Sequence, residues 1–275
     1  MEDELTEPAV RSVLRSKWIG QSYQYLEKAG STNDLLKGQV AAGGTNDPAS
    51  GAVLLTEYQE HGRGRLDRSW EAPAHTSLLF SVLLRPDWSA NRLSWMTMVA
   101  GLAAAEAIEE ETKLAVSLKW PNDVVIKHDD KWCKVCGILL EGYVTLAQQL
   151  EHAVIGVGIN VNIPRGQLPH TAQPATSLMI AAGHPISRLS LLAGLLQRFE
   201  RLYEAADRGD SPEQEWNRRL ITLGQRVKVG RVGQTIPLVG TAEGTDEWGR
   251  LLVREEGGHL HAVVAADVTL FEAAP

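Results

Sequence analysis

Cysteine is scarce, with two residues in a chain of 275. That excludes a disulfide-stapled scaffold and points to a reducing compartment. Long apolar runs are missing as well. The opening MEDELTEPAVRS is acidic and has no apolar stretch, so it does not read as a secretory signal. No segment reaches the about 20 consecutive apolar residues that span a bilayer. A cytoplasmic protein without membrane contact is expected. Basic charge is in deficit, at a net −7, which argues against a general nucleic-acid binder with its basic face. Internal repeats and low-complexity segments are absent. An apolar fraction of 44% nevertheless supplies a sizeable core, in one large or two modest domains.

Against that background, residues 59–70 stand out as QEHGRGRLDRSW. Gly62, Arg63, Gly64 and Arg65 alternate, with Arg68 and Trp70 just beyond. Glycine lets the backbone approach a ligand closely. Arginine supplies planar, fixed donors that match carboxylate and phosphate oxygens. Interleaving the two makes a loop suited to wrapping an anion. Taken alone, such a stretch is equally a solvated basic turn, so its neighbours have to decide.

The chain reads as alternating strands and helices. A lead-in helix within residues 1–20 precedes a strand near 23–26. Gly30, Ser31, Thr32, Asn33 and Asp34 then form a strand-to-helix junction rich in N-cap residues. Residues 52–58 and 77–85 read as buried strands on either side of the arginine loop. Residues 93–110 are the clearest helix. Short strands are expected at 116–119, 124–127 and 135–143, the last two joined as a hairpin through HDDK. A longer strand at 153–162 and helices at 189–206 and 212–220 follow. From 224 onward, short alternating runs separated by glycine turns suggest a small barrel. A boundary near Thr222 divides the chain into 1–222, a mixed α/β layer structure, and 223–275.

Three further stretches carry chemistry. Lys119-Trp120-Pro121-Asn122-Asp123 gathers a cation, an aromatic face, an amide and a carboxylate at one turn. In Lys134-Val135-Cys136-Gly137-Ile138-Leu139-Leu140-Glu141, a lysine lies on an otherwise apolar strand. Burying that ammonium without a partner is costly, although its stem can also snorkel to solvent. Gly156-Val157-Gly158-Ile159-Asn160 lacks the following helix of a dinucleotide fingerprint. Cys133 and Cys136 form a C-x-x-C without a second pair or a histidine to complete a metal site. Strand residues three apart lie roughly 10 Å from each other on opposite faces. A disulfide needs Cα atoms within about 7 Å, so both read as buried thiols. His259 and His261 read as exposed strand residues, not metal ligands.

Taken in order, GSTN, Q-x-x-GRGR, KWPND, K-x-x-GIL-x-E and GVGIN resemble the biotin protein ligase family, over about residues 22–271. The resemblance implies an α+β fold: a mixed β-sheet with flanking helices of the class II aminoacyl-tRNA synthetase-like kind, plus a small C-terminal SH3-like β-barrel. It also implies two half-reactions. Biotin's carboxylate joins the α-phosphate of ATP, with Arg63, Arg65 and Lys134 supplying positive charge and Mg²⁺ sharing that task, and the biotinyl-adenylate then acylates a lysine of a biotin carboxyl carrier domain. By the same resemblance, Ser31, Thr32 and Gln59 hydrogen-bond the ureido group, with Asn33 in the same segment. Arg63, Gly64 and Arg65 close over the ligand, and Lys134 holds the carboxylate and later the phosphate. Arg68 is a further phosphate contact. Trp120, Asn122 and Asp123 line the nucleotide side, with Trp120 placed to stack on the base and Asp123 to receive or orient the incoming lysine.

The loop departs from the family's GRGR-x-GR at Asp67, a residue type that tolerates positive φ. Core motifs that begin by Ser31 leave no room for an N-terminal DNA-binding module of roughly 50 residues, so no operator binding is expected. A homodimer is compatible with this reading. Lipoate protein ligase and a non-catalytic biotin-binding module stand as rivals; KWPND, GRGR and Lys134 weigh against them.

Overall fold

The computed structural model describes residues 4–66, 68–169, 173–231, 236–264 and 266–270. Asp67 and Phe271 lie outside them. The elements in chain order are α1 (Glu7–Val13), β1 (Tyr23–Ala29), α2 (Thr32–Ala42), β2 (Val53–Gln59), β3 (Ser77–Leu84), α3 (Leu93–Thr112), β4 (Val116–Lys119), β5 (Asp123–His128), β6 (Lys131–Val144), β7 (Leu150–Asn160), α4 (Leu178–Ala182), α5 (Arg188–Asp207), α6 (Glu213–Arg219), β8 (Arg226–Arg231), β9 (Leu238–Thr245), β10 (Leu251–Arg254), β11 (Leu260–Val263) and β12 (Ala266–Leu270).

The continuous apolar runs of β2 and β3 become central strands, as burial on both faces demands; every residue of β3 is buried. The sheet has seven strands in the order β1-β2-β3-β7-β6-β5-β4. Its β1–β2 pair is parallel and the remaining neighbours are antiparallel. The two faces are covered unequally. One carries α3 and α5 over the main core, where Val99, Leu102 and Ala103 meet Phe80, Ile155, Leu195 and Phe199. Gly101 lets the indole of Trp216 lie against α3, since a Cβ there would sit 2.7 Å from its Cζ3. Among the helices of the described residues, the other face carries α2, over the small cluster Leu36, Ala52, Leu54, Leu83 and Val154. The rest of that face is open to other use.

The second unit is a five-stranded antiparallel sheet, β11-β10-β9-β8-β12. Where the sequence suggests a small barrel, no ladder among the described residues joins the edge strands β11 and β12. The two units are pinned together by indoles. Trp95 Nε1 donates to the Glu247 carbonyl at 2.8 Å, and Trp120 Nε1 to that of Gly249 at 2.9 Å. Thr245 Oγ1 bonds Asn217 Oδ1 at 2.9 Å across the same seam.

Sequence periodicity missed the short helix α4 and the run 173–176, which docks beside β6. Lys134 N donates to the Pro174 carbonyl (2.8 Å) and Thr176 N to that of Lys134 (3.0 Å). This segment has no periodic pattern because its order comes from a neighbouring strand. Cys133 and Cys136 are buried, free thiols. Among the described residues no helix is long and apolar enough to cross a membrane.

Candidate functional site

The open part of the sheet is floored by glycine. Gly137 on β6 pairs with Gly158 on β7, and Gly156 on β7 faces Ser81 on β3. Each replaces a side chain that would fill the trough. A Cβ on Gly158 would lie 2.5 Å from Trp70 Cε2, and one on Gly137 2.8 Å from Trp70 Cζ3. One on Gly156 would lie 2.4 Å from Asn33 Oδ1. The indole of Trp70 therefore lies directly on the floor, and Asn33 reaches down to it.

Strand alternation alone would put Lys134 and Gly137 on opposite faces, because they are three residues apart. A bulge between Val124 and Val125 in the β5–β6 register changes that: Val124 pairs with Cys136 and Val125 with Lys134, leaving Val135 as the extra residue. Parity is reset, and Lys134 bends over Gly137, with Nζ only 3.0 Å from where a Cβ would stand. The same bulge breaks the alternation used above to separate the two cysteines, although both remain unlinked. Lys134 Nζ meets Asp123 Oδ1 at 2.5 Å and lies 5.4 Å from the centre of the Trp70 ring. With the Gln173 amide oriented to satisfy both neighbours, its nitrogen donates to Asp123 Oδ2 (3.1 Å) and its oxygen accepts from Lys119. Asp123 thus has one oxygen on the lysine and the other on an amide.

The arginine loop is a tight excursion closed on itself. Trp70 N donates to Gly62 O (2.9 Å) and Gly64 N to Arg68 O (2.6 Å). A side chain at Gly62 would collide with the Trp70 carbonyl, 2.2 Å from its Cβ, so glycine is required there for close approach. Arg65 Nη1 donates to Asn122 Oδ1 at 3.2 Å. Asn122 in turn donates from Nδ2 to the Ile138 carbonyl at 2.6 Å. The amide of the turn therefore aims the arginine beside Lys134's strand. Arg63 points elsewhere, to Asp34 Oδ1 (2.5 Å) and Glu141 Oε1 (3.1 Å). Arg68 is exposed.

At the other end of the trough, Ser31 caps α2 by accepting from Asp34 N (3.5 Å). Gln59 Oε1 accepts from Thr32 N (2.9 Å) and Thr32 Oγ1 (3.2 Å). The Ser81 hydroxyl lies 2.7 Å from Thr32 Oγ1 and 2.6 Å from Asn33 Oδ1. Ser31, Thr32 and Asn33 are all buried. The cluster offers converging small donors and acceptors without net charge.

Beside it, Glu141 accepts from Asn33 Nδ2 (2.8 Å) and Lys37 Nζ (2.7 Å) as well as from Arg63. Burial works to raise its pKa, but hydrogen bonds from Lys37 and Asn33 and the charges of Lys37 and Arg63 outweigh that and hold it below the ordinary 4.5. Burial likewise opposes ionisation of Asp34, and Lys37 and Arg63 overcome it, holding that carboxyl below 3.8. Depressed carboxyl pKa values stabilise the folded form fully above the unfolded values and lose that contribution as pH falls through the folded ones. The stability this network contributes is therefore expected to be fully present above the ordinary carboxyl range and to be lost only as pH falls below it, when Arg63 loses its acceptors. Thermal melting as a function of pH checks it; a loss that begins at about pH 6 would contradict it.

One expectation is corrected. Trp120 does not face a base-binding surface. It is 3% exposed, buried in the main core, with its N–H on the Gly249 carbonyl. The turn sends the indole inward because the seam with the second unit provides both apolar contact and an acceptor. Several residues near the site were not singled out from sequence. Glu141 closes the quoted motif, and its alternation with Gly137 was the available signal. Asp34 was marked only as part of the helix start, and Ser81, Lys37 and Gln173 had no signal. Four buried polar atoms near the floor have no hydrogen-bond partner among the described residues: Trp70 Nε1, Ser77 Oγ, Asn160 Oδ1 and Thr176 Oγ1. Ser77 and Asn160 are cross-strand partners, and Asn160 Nδ2 donates to the Thr176 carbonyl at 3.1 Å. Unpaired buried polar atoms are costly, so this row suits a polar ligand. No group of three or more His, Cys, Asp or Glu side chains among the described residues is arranged to hold a metal.

Comparison with known proteins places this geometry in context. The biotin/lipoate A/B protein ligase family pattern matches residues 26–160, and that of the biotin protein ligase C-terminal domain matches residues 222–270. The biotin–[acetyl-CoA-carboxylase] ligase of Mycobacterium tuberculosis is 32% identical over 97% of both chains. The bifunctional ligase/repressor BirA of Bacillus subtilis is 29% identical, over 97% of this chain and 79% of its own. Among solved structures, a point mutant of the biotin protein ligase from Aquifex aeolicus in complex with biotin aligns with a TM-score of 0.75 at 27% identity, over 92% of this chain and 99% of that one. The same organism's ligase in complex with biotin and ATP aligns with a TM-score of 0.72 at 28% identity, over 92% and 100%.

Proposed function

The chain belongs to the biotin protein ligase family, and from that premise we propose how its own residues carry the reaction. It is an ATP-dependent biotin ligase. The uncharged cluster of Ser31, Thr32, Asn33 and Gln59 takes the ureido group, and the rings and tail run along the strand face toward Lys134, with the Trp70 indole moving off Gly137 and Gly158 to admit them. The carboxylate then ends at Lys134. The unpaired Asn160 Oδ1, an acceptor, suits the exocyclic amine of the adenine base, with Thr176 Oγ1 beside it. Trp120 has no part in holding the base.

In the first step a biotin carboxylate oxygen attacks the α-phosphorus of ATP and pyrophosphate leaves. Two anions must approach, so cations where charge accumulates lower the barrier. Lys134 and Arg65 supply them, Lys134 poised by Asp123 and Arg65 by Asn122. Mg²⁺ bound to the ATP phosphates would add positive charge there, since its preferred partners are phosphate oxygens and water. In the second step a carrier lysine, as the free amine, attacks the acyl carbon and AMP leaves. Asp123, the carboxylate paired with Lys134, is the group to orient that amine or accept its proton. The acceptor is the biotin carboxyl carrier domain of a carboxylase. We read the C-terminal sheet as the family's SH3-like module, supported by its five antiparallel strands and the match over 222–270.

The observation that carries this reading is the Lys134–Asp123 pair at 2.5 Å, bent over a glycine floor. The test is transfer of labelled biotin to a carrier domain. ATP-dependent labelling of a single lysine is expected. Pyrophosphate exchange supported by lipoate and not by biotin would overturn the choice of substrate.

A further inference from the structure

Glu141 joins two parts of the site that lie far apart in sequence. Its Oε2 accepts from Asn33 Nδ2, and its Oε1 accepts from Arg63 and Lys37. Asn33 belongs to the ureido-side cluster, where its Oδ1 lies 2.6 Å from the Ser81 hydroxyl. Arg63 belongs to the loop, 30 residues from Asn33 and 78 from Glu141. Asp34 also holds Arg63, but makes no contact with Asn33 among the described hydrogen bonds. One carboxylate is therefore shared between recognition and closure.

We propose that Glu141 is a positioning residue that couples the two: a headgroup seated on the Ser81–Asn33 cluster holds Asn33 more firmly against the carboxylate, and the carboxylate so held keeps Arg63 and with it the loop. This rests on the biotin ligase reading of the site. Coupling of this kind is reciprocal. A closed loop tightens the grip on the headgroup, and a bound headgroup lengthens the time the loop spends shut over the reactive adenylate. The geometry favours it because both carboxylate oxygens are engaged. Rotating the carboxylate to suit one partner would release the other.

The test follows dissociation of labelled biotinyl-adenylate formed on the intact protein, together with the KM for biotin in pyrophosphate exchange and the melting temperature. In E141Q, adenylate release is expected to accelerate at least tenfold and the biotin KM to rise. R63Q should accelerate release to a similar extent. The double variant should add nothing further, because both changes cut one connection. D34N should accelerate release less and leave the rise in KM to E141Q alone. E141D, which keeps the charge on a shorter stem, tests the idea if E141Q melts too low to assay. Its release should also accelerate, through lost reach. The proposal is overturned if E141Q and E141D hold the adenylate as long as the parent does, or if E141Q and R63Q multiply each other's effects. A parent protein with no biotin-dependent exchange would sink the ligase reading and this proposal together, which separates the two failures.

Discussion

Replacing Lys134 with alanine is expected to lower biotin-dependent pyrophosphate exchange by about 10²–10³-fold, the usual cost of deleting one preorganised charge from a site of developing negative charge. The loss has two sources. The first is the missing cation between carboxylate and α-phosphate. The second is Asp123, whose Oδ1 sits 2.5 Å from the ammonium and is left facing the same space unneutralised. A carboxylate freed in that way repels both substrates. The double variant K134A/D123N should therefore regain part of the exchange lost by K134A. Arginine is a poor substitute, because the lysine bends so closely over Gly137 that its Nζ lies 3.0 Å from where a Cβ would stand, and a planar guanidinium is broader than an ammonium. Single-turnover adenylation measured at saturating biotin and ATP isolates the chemical step. If K134A retains exchange within about threefold of the parent, the lysine is not the group that offsets the charge.

The second large effect is expected from one methyl group. Gly156→Ala should weaken biotin binding by about 100-fold, close to the upper end of what overpacking a tight site costs. The new Cβ would stand 2.4 Å from Asn33 Oδ1 and 3.1 Å from its Cγ. Asn33 cannot step aside cheaply: Ser81 holds one end of its amide and Glu141 the other. Displacing it unmakes the ureido cluster and, through Glu141, loosens the loop. Gly38→Ala is the contrast. That glycine lies in α2 with nothing within 4 Å of a Cβ, so alanine should stabilise the helix by about 0.5–1 kcal/mol without changing affinity. Calorimetry of biotin binding and thermal melting distinguish the two. Equal affinities for the Gly156 variant and the parent would show that Asn33 is not a ligand-facing group.

Much of the architecture is legible in the chain. The uniformly apolar stretches of β2 and β3 announce central strands, and the alanine-rich run of α3 announces a helix that packs closely. The Ser-Thr-Asn cluster marks the start of α2 because short polar side chains bond the first free amides of a helix. The strand ends read less well. β6 and β7 run longer than their apolar stretches, because their ends are held by cross-strand hydrogen bonds that polar residues make equally well. The run 173–176 was invisible for the same reason.

What residue types and their order determine here is the chemical inventory: arginines on a glycine-bearing loop, a lysine on an apolar strand, and polar groups at a helix start. Which of these meet was decided only by the folded chain. A single extra residue at Val135 turns Lys134 onto the glycine floor, and parity along a strand cannot be read where one bulge inverts it. Trp120 looked like a base-stacking ring until the second unit offered its N–H an acceptor 129 residues away. Glu141 found Arg63 and Asn33 across a sheet whose strand order is not the order of the chain. Local preference acts over a few residues, whereas these contacts arise from packing elements that are neighbours only in space.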